Sequence, residues 1–280
     1  MGKFIPLFIG LILAISLYLF IGWWGFLIIF PWIGISITLG HYLRQRLQDN
    51  QKSLGRKISI LLIMPILLVF VPFVNNENFQ LEGVILIVLV GFFSKGFIHF
   101  AIAKLFGPLI WGRGFCGWAC WTAAILDWLP INKGMAINPK LKNIRYLTLA
   151  LSVLFPVMLI FLMSYDVRGS YINKAELKWM IAGNVIYYFL AIPMAFYFKD
   201  KRAFCKVACP VSLIMKAPAS FAIIRKRPTE NKCIECGICN KVCLMDNDVM
   251  SCISRGQPVL STECILCNEC AINCQAGAIR

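Results

Sequence analysis

Six apolar runs, at residues 4–21, 24–43, 58–74, 84–104, 146–164 and 179–198, dominate the first two hundred positions of this chain. About 20 apolar residues suffice for a helix to cross the hydrocarbon core of a bilayer. The runs therefore predict a mainly α-helical protein, a bundle of six transmembrane helices over residues 1–198. The first two runs are nearly continuous, and "IGWWG" at 21–25 supplies the turn between them. Composition agrees: 15% of residues are charged, against about 25% in soluble domains.

The net charge of +15 points to membrane topology rather than to nucleic acid, because there is no basic stripe with interleaved aromatics. Segments 41–57 and 111–145 each carry five Lys/Arg against one Asp, and 199–232 carries nine against two acidic residues. The loop at 75–83 has no basic residue and the one at 164–178 has three. By the positive-inside rule the basic segments face the cytoplasm, both termini lie inside, and the chain belongs in the inner membrane. Trp23, Trp24, Trp111, Trp118, Trp121 and Trp128 are expected in interfacial belts. The start of the chain has no small-residue cleavage site and reads as an anchor. Residues 199–232 are expected as a basic linker lying on anionic headgroups.

The thirteen cysteines, eleven of them after residue 200, cluster at metal-ligand spacings, which indicates ligation in a reducing compartment rather than a disulfide framework. "CIECGICNKVC" and "CILCNECAINC" are both C-x2-C-x2-C-x3-C, the bacterial-ferredoxin spacing for two [4Fe–4S] clusters in which each run lends its fourth cysteine to the other. Cys233, Cys236, Cys239 and Cys274 are assigned to one cluster, and Cys264, Cys267, Cys270 and Cys243 to the other. Residues 233–280 are thus expected to form an α+β ferredoxin-like module. The proline usual after the fourth cysteine is Leu244 in one run and Gln275 in the other. Cys252 matches no ligand position and reads as a free thiol.

A second repetition lies in the membrane part. "WGRGFCGWACW" and "KRAFCKVACP" share R-x-F-C-x-x-A-C, the second copy starting its cysteines 85 residues after the first ends. Cys116 with Cys120, and Cys205 with Cys209, are expected to share helical faces. The two predicted spans between them return the chain to one side of the membrane. Convergence of the four thiols completes an all-thiolate set for a third iron–sulfur cluster; a redox-active thiol pair and simple apolar packing are the alternatives. Arg113 and Asp127 are candidates for helix capping or for stabilising an anionic cluster.

Transmembrane helices, two C-x3-C pairs and a terminal two-cluster module resemble the NapH/MauN-type membrane polyferredoxins, whose core NosR and CcoG share. "GRGFCGWAC" matches the context of that family's first pair, with Trp121 in place of proline, and "CKVACP" matches the second. The resemblance runs from about residue 84 to the end. It implies electron transfer between the quinone pool or a membrane partner and a redox enzyme. The alternative, similar to CcoG, is a metal or thiol reductase that assembles a respiratory metalloenzyme.

Two histidines, His41 and His99, are too few for a transmembrane dihaem. No G-x-G-x-x-G fingerprint, Walker loop or nucleophile elbow is present, so the chain is expected as a non-catalytic electron-transfer subunit. Lys95 and His99 are candidate quinone contacts because ionisable groups at membrane depth are functional by default. Lys104 is expected to snorkel to the interface. No intramembrane carboxylate is expected.

Overall fold

The structure is a computed structural model that describes residues 4–48, 51–91, 94–134, 136–167, 169 and 174–280. Four helices are long and apolar enough to cross a membrane: Phe26–Arg46, Lys52–Asn75, Pro139–Met163 and Ala175–Tyr197. Helix α1 (Ile5–Ile21) precedes them and packs antiparallel on α2 (Phe26–Arg46). Gly22, in the left-handed region at φ 76°, turns the chain where "IGWWG" placed the turn. α1 has 17 residues, or about 26 Å at 1.5 Å per residue.

The next long helix, α3, runs from Lys52 to Asn75 with a π-helical turn at Ile66–Phe70. The turn follows Pro65, whose missing N–H disrupts the regular ladder. The fourth predicted span is not one helix. It divides into α4 (Leu81–Val90) and a second rod, α5, over 95–111, with the break at Gly91 (φ 67°) and Ser94 capping α5 through the Phe97 N–H. In the loop before α4, Glu77, Asn78, Phe79 and Gln80 are all buried. Buried irregular backbone packs against protein, and here Phe79 meets the Trp121 ring at 5.3 Å. The expected count of six spanning helices thus becomes four long ones plus shorter helical pieces.

α5 contains a second π-helical turn, Ala101–Phe106, immediately ahead of Pro108. Two short helices follow, α6 (Gly114–Trp118) and α7 (Trp121–Leu126). Then come the long helices α8 (Ile144–Met163) and α9 (Ala175–Tyr197); residues 168 and 170–173 of the loop between them lie outside the described ones. Helices α10 (Ala203–Val207), α11 (Val211–Ile214) and α12 (Lys216–Ala219) occupy the stretch expected as an interfacial linker. Phe204, Cys205, Lys206, Met215 and Ala219 are buried there, so much of the stretch packs into the protein, and its exposed large apolar side chains are Phe221, Ile223 and Ile224.

The tail over 233–280 is built from α13 (Ile238–Val242), α14 (Met250–Ser254) and α15 (Glu269–Ile272) joined by turns. Among the described residues it holds no strand, only an isolated antiparallel bridge between Pro228 and Ile279. The expected β component therefore reduces to that contact, because cysteine turns consume the segments that would pair. The tryptophans also depart from expectation. Trp23, Trp118 and Trp121 are buried, while Trp24 and Trp128 are exposed. The two buried indoles next to the cysteines have partners, as burial requires: Trp118 Nε1 donates to the Leu266 carbonyl at 3.0 Å, and Trp121 Nε1 to Asn184 Oδ1 at 2.8 Å.

Candidate functional site: a four-cysteine centre beneath two cysteine-lined cavities

The two R-x-F-C-x-x-A-C copies fold alike. Arg113 (φ −84°, ψ 29°) opens α6 and Arg202 (φ −107°, ψ 15°) opens α10, each a single helical turn. In the first copy the Phe115 carbonyl accepts from the N–H groups of Ala119 and Cys120, at 2.9 and 3.0 Å. In the second the Phe204 carbonyl accepts from Ala208 and Cys209, both at 2.9 Å. The pairs do not share a regular helical face. Cys116 and Cys205 lie within the turn, whereas Cys120 is already extended at φ −72°, ψ 121°. The kink turns both thiols of a pair toward the other copy.

Cys120 lies in the electrostatic field of Cys116 and Cys205, and Cys209 in that of the other three thiols. Arg202 ties the copies together, its Nη1 donating to the Cys116 carbonyl at 2.9 Å. The Cys116 Sγ lies 3.6 Å from the Met215 Sδ. Three cations enclose the thiols: Arg113 and Arg202 are 0% exposed and Lys104 is 4% exposed. Burying three positive charges is costly unless negative charge is close, and four thiolates around an iron–sulfur cube would supply it. Among the described residues no group of three or more His, Cys, Asp or Glu side chains is placed to hold a metal ion. By donor chemistry, four soft thiolates are the set that an iron–sulfur cluster would take.

The tail repeats itself with a 31-residue step. Glu235 and Gly237 in the first run, Leu266 and Asn268 in the second, all have positive φ, at 52°, 72°, 53° and 68°. These left-handed residues, unusual for non-glycine side chains, curl each C-x2-C-x2-C segment so that its thiols point inward. One small cavity is lined by Cys233, Cys236, Cys239 and Cys274. Another is lined by Cys243, Cys264, Cys267 and Cys270. The fourth cysteine of each run thus stands with the other run, and the Asn247 and Ala278 N–H groups donate to the Cys243 and Cys274 sulfurs, both at 3.3 Å. Cys252 lines neither cavity; its Sγ lies 3.5 Å from the Asp248 carbonyl.

Three tail carboxylates fasten this unit to the membrane domain. Glu263 pairs with Arg113 and, at 3.0 Å, with Arg145. Glu269 meets Arg56 at 3.7 Å, and Asp246 meets Lys206 at 2.7 Å and Lys133 at 2.8 Å. Arg56 and Arg202 both pair with buried Asp127, at 2.6 and 2.7 Å. Burial works against ionisation of Asp127, yet Arg202 and Arg56 hold its carboxyl below the usual carboxylate range. Burial likewise opposes ionisation of Glu263, and Arg113 with Arg145 outweighs it. Arg113 and Glu263 are 150 residues apart in the chain, and Arg56 and Glu269 are further apart still.

Packing at this seam is tight at Gly117, where an added Cβ would overlap the Ile265 carbonyl oxygen. Gly117→Ala is therefore expected to loosen the tail. Limited proteolysis should then cut the 223–232 connection faster than in the wild type, with equal rates refuting the tight seam.

Of the candidate quinone contacts, His99 is buried among aromatics, stacked 5.5 Å from Phe30, with its Nδ1 3.1 Å from the Lys95 carbonyl and no partner on Nε2 among the described residues. It lines a largely apolar cavity of about 340 Å³ that also reaches His41, Lys104, Phe115, Trp118 and Leu266. Lys95 does not line it; its ammonium lies over the Trp23 ring at 5.3 Å. Lys104 does not snorkel but points inward. A carboxylate is also present where none was expected. Glu82 Oε1 accepts from Ser152 Oγ at 2.7 Å and from the Tyr187 hydroxyl at 3.3 Å, near the middles of α8 and α9. Its place in a polar loop of the sequence concealed this.

The profile of a family described as "4Fe-4S binding domain" matches residues 95–131 and 184–228, the stretches that contain the two C-x3-C copies. The chain thus carries a 4Fe-4S binding domain, which indicates at least one iron–sulfur cluster. Two proteins of Methanocaldococcus jannaschii are similar to it. The uncharacterized protein MJ0749 is 26% identical over 176 residues, 60% of this chain and 63% of the relative. The uncharacterized protein MJ0750 is 26% identical over 241 residues, 80% of this chain and 95% of the relative. No solved structure matches the chain.

Proposed function

We propose that the chain is a membrane-bound electron-transfer protein with three [4Fe–4S] sites in series. The convergence of Cys116, Cys120, Cys205 and Cys209 inside a shell of buried cations, directly under the Cys264–Cys270 run, carries this reading. When bound, such clusters take up and release single electrons. The chain does the rest: thiolates hold the iron, Arg113, Arg202 and Lys104 offset the negative charge, and apolar walls exclude water. Ion pairs keep the tail seated, so Cys116 packs against the tail core that contains Cys243 and Cys270. Cys236 is exposed, which supports the Cys233–Cys239 site as the exit toward a redox partner protein.

On the membrane side, the cavity at His99 ends at Phe115 and Trp118, beside the four-cysteine centre. Its apolar lining supports a quinone or another lipid-soluble carrier as the source or sink of electrons. The basic loops around the tail support a cytoplasmic placement of the tail at the inner membrane. The whole resembles a NapH/MauN-type polyferredoxin in these respects, acting as a subunit of an oxidoreductase system rather than as its catalytic part.

The deciding experiment is iron and sulfide analysis with redox-titrated EPR on anaerobically purified protein. About twelve irons with three separable signals are expected from four-iron stoichiometry. About eight irons with two signals would leave the C-x3-C cysteines as thiols, overturn the relay and favour a metal or thiol reductase.

A further inference from the structure

Lys104 stands in the π-helical turn Ala101–Phe106 of α5, a geometry that recurs at functional sites because the added residue re-aims side chains. Its ammonium lies over three aromatic faces, Phe100 at 4.5 Å, Trp121 at 4.8 Å and Phe115 at 5.8 Å. Among the described residues no hydrogen bond or ion pair satisfies it. Ring faces attract a cation but do not neutralise it, so a buried ammonium placed like this lacks an anion. Cys120, Cys209 and Cys116 lie in its electrostatic field, as does Glu82.

The other two buried cations of the shell already have carboxylates: Arg113 has Glu263 and Arg202 has Asp127. Each of those carboxylates is shared with a second arginine, Arg145 at Glu263 and Arg56 at Asp127. Lys104 alone of the three has no carboxylate paired with it among the described residues. A four-iron cluster on four thiolates is net negative when oxidised and gains one more negative charge on reduction, so a fixed neighbouring cation favours the reduced form.

We propose that Lys104 is the counter-charge of the four-cysteine centre and the residue that sets its redox equilibrium apart from those of the tail sites. This rests on the reading of that centre as a cluster site. The test compares the full-length wild type with Lys104→Met and Lys104→Arg, each purified anaerobically and titrated with dithionite under EPR, with the two tail signals as internal references. In Lys104→Met the reduced-to-oxidised ratio of the buried centre, at a fixed ambient potential, is expected to fall about tenfold or more. A unit charge acting at the effective dielectric of a protein interior gives an effect of that size. Lys104→Arg should stay within about threefold, since it keeps the charge. The tail signals should not move.

Loss of the buried centre in Lys104→Met with retention in Lys104→Arg would equally support a counter-charge. An unshifted titration in Lys104→Met, or equal loss of the centre in both variants, would overturn it in favour of packing. A wild type with only two signals would instead remove the underlying reading.

Discussion

Replacing Cys116 and Cys205 together by alanine is expected to remove about four irons from the protein, by the stoichiometry of one cluster, and to abolish one EPR signal while leaving two unchanged. One cysteine is taken from each copy, so each half of the centre is left with a single thiol, too few to hold a cube. The tail sites should survive because neither of their cavities is lined by these residues. Dithionite should still reduce the tail, but electrons arriving from the membrane should no longer reach it. Cys252→Ala is the matching control and should change neither iron nor signals. Unchanged iron in the double variant would show that the membrane cysteines are packing residues or free thiols.

The second large effect is expected at Arg202. Its guanidinium holds the Asp127 carboxylate and the Cys116 carbonyl at once, and its side chain is 0% exposed. Arg202→Met leaves Asp127 to Arg56 alone and frees the first copy from the second. Breaking a buried pair in this way costs about 3 kcal/mol or more, which lowers the melting temperature on the order of 6–10 °C for a chain of this size. Thermal scanning in detergent, with iron content measured in parallel, should show the buried centre lost before the tail sites. Arg202→Lys should be nearly as damaging, because an ammonium cannot span both acceptors as the planar fork does. A melting temperature within a degree of the wild type would mean that Asp127 and Arg56 alone hold the junction.

Legibility in the sequence followed range. The eight tail cysteines were assigned from spacings of three and four residues, and the structure groups the same residues around two cavities. The C-x3-C copies were visible through repetition, although the argument from a shared helical face was not how they meet. Kinks after Phe115 and Phe204 turn the pairs instead. The span count failed where the Gly91 break divides the run at 84–104, which hydropathy reads as continuous, and where α1 ends after 17 residues. Hydropathy also could not tell a tryptophan at an interface from one buried against the tail, as Trp118 is. The ion pairs were illegible because Glu263 and Arg113 are joined by tertiary structure alone.

The separation of the two copies has a consequence for biogenesis. Two of the four cysteines have been made once Cys120 is added, but Cys205 and Cys209 follow only after α8 and α9 have been synthesised. Closing so long a loop is entropically tolerable, yet it imposes an order of events. Under the proposed three-site reading, the tail sites would be filled by a locally folded segment, whereas the four-cysteine centre would accept iron only once α8 and α9 are in place. A nascent chain stopped before residue 205 would hold an empty half-site, so loading of the buried centre reports that the membrane domain has finished assembling.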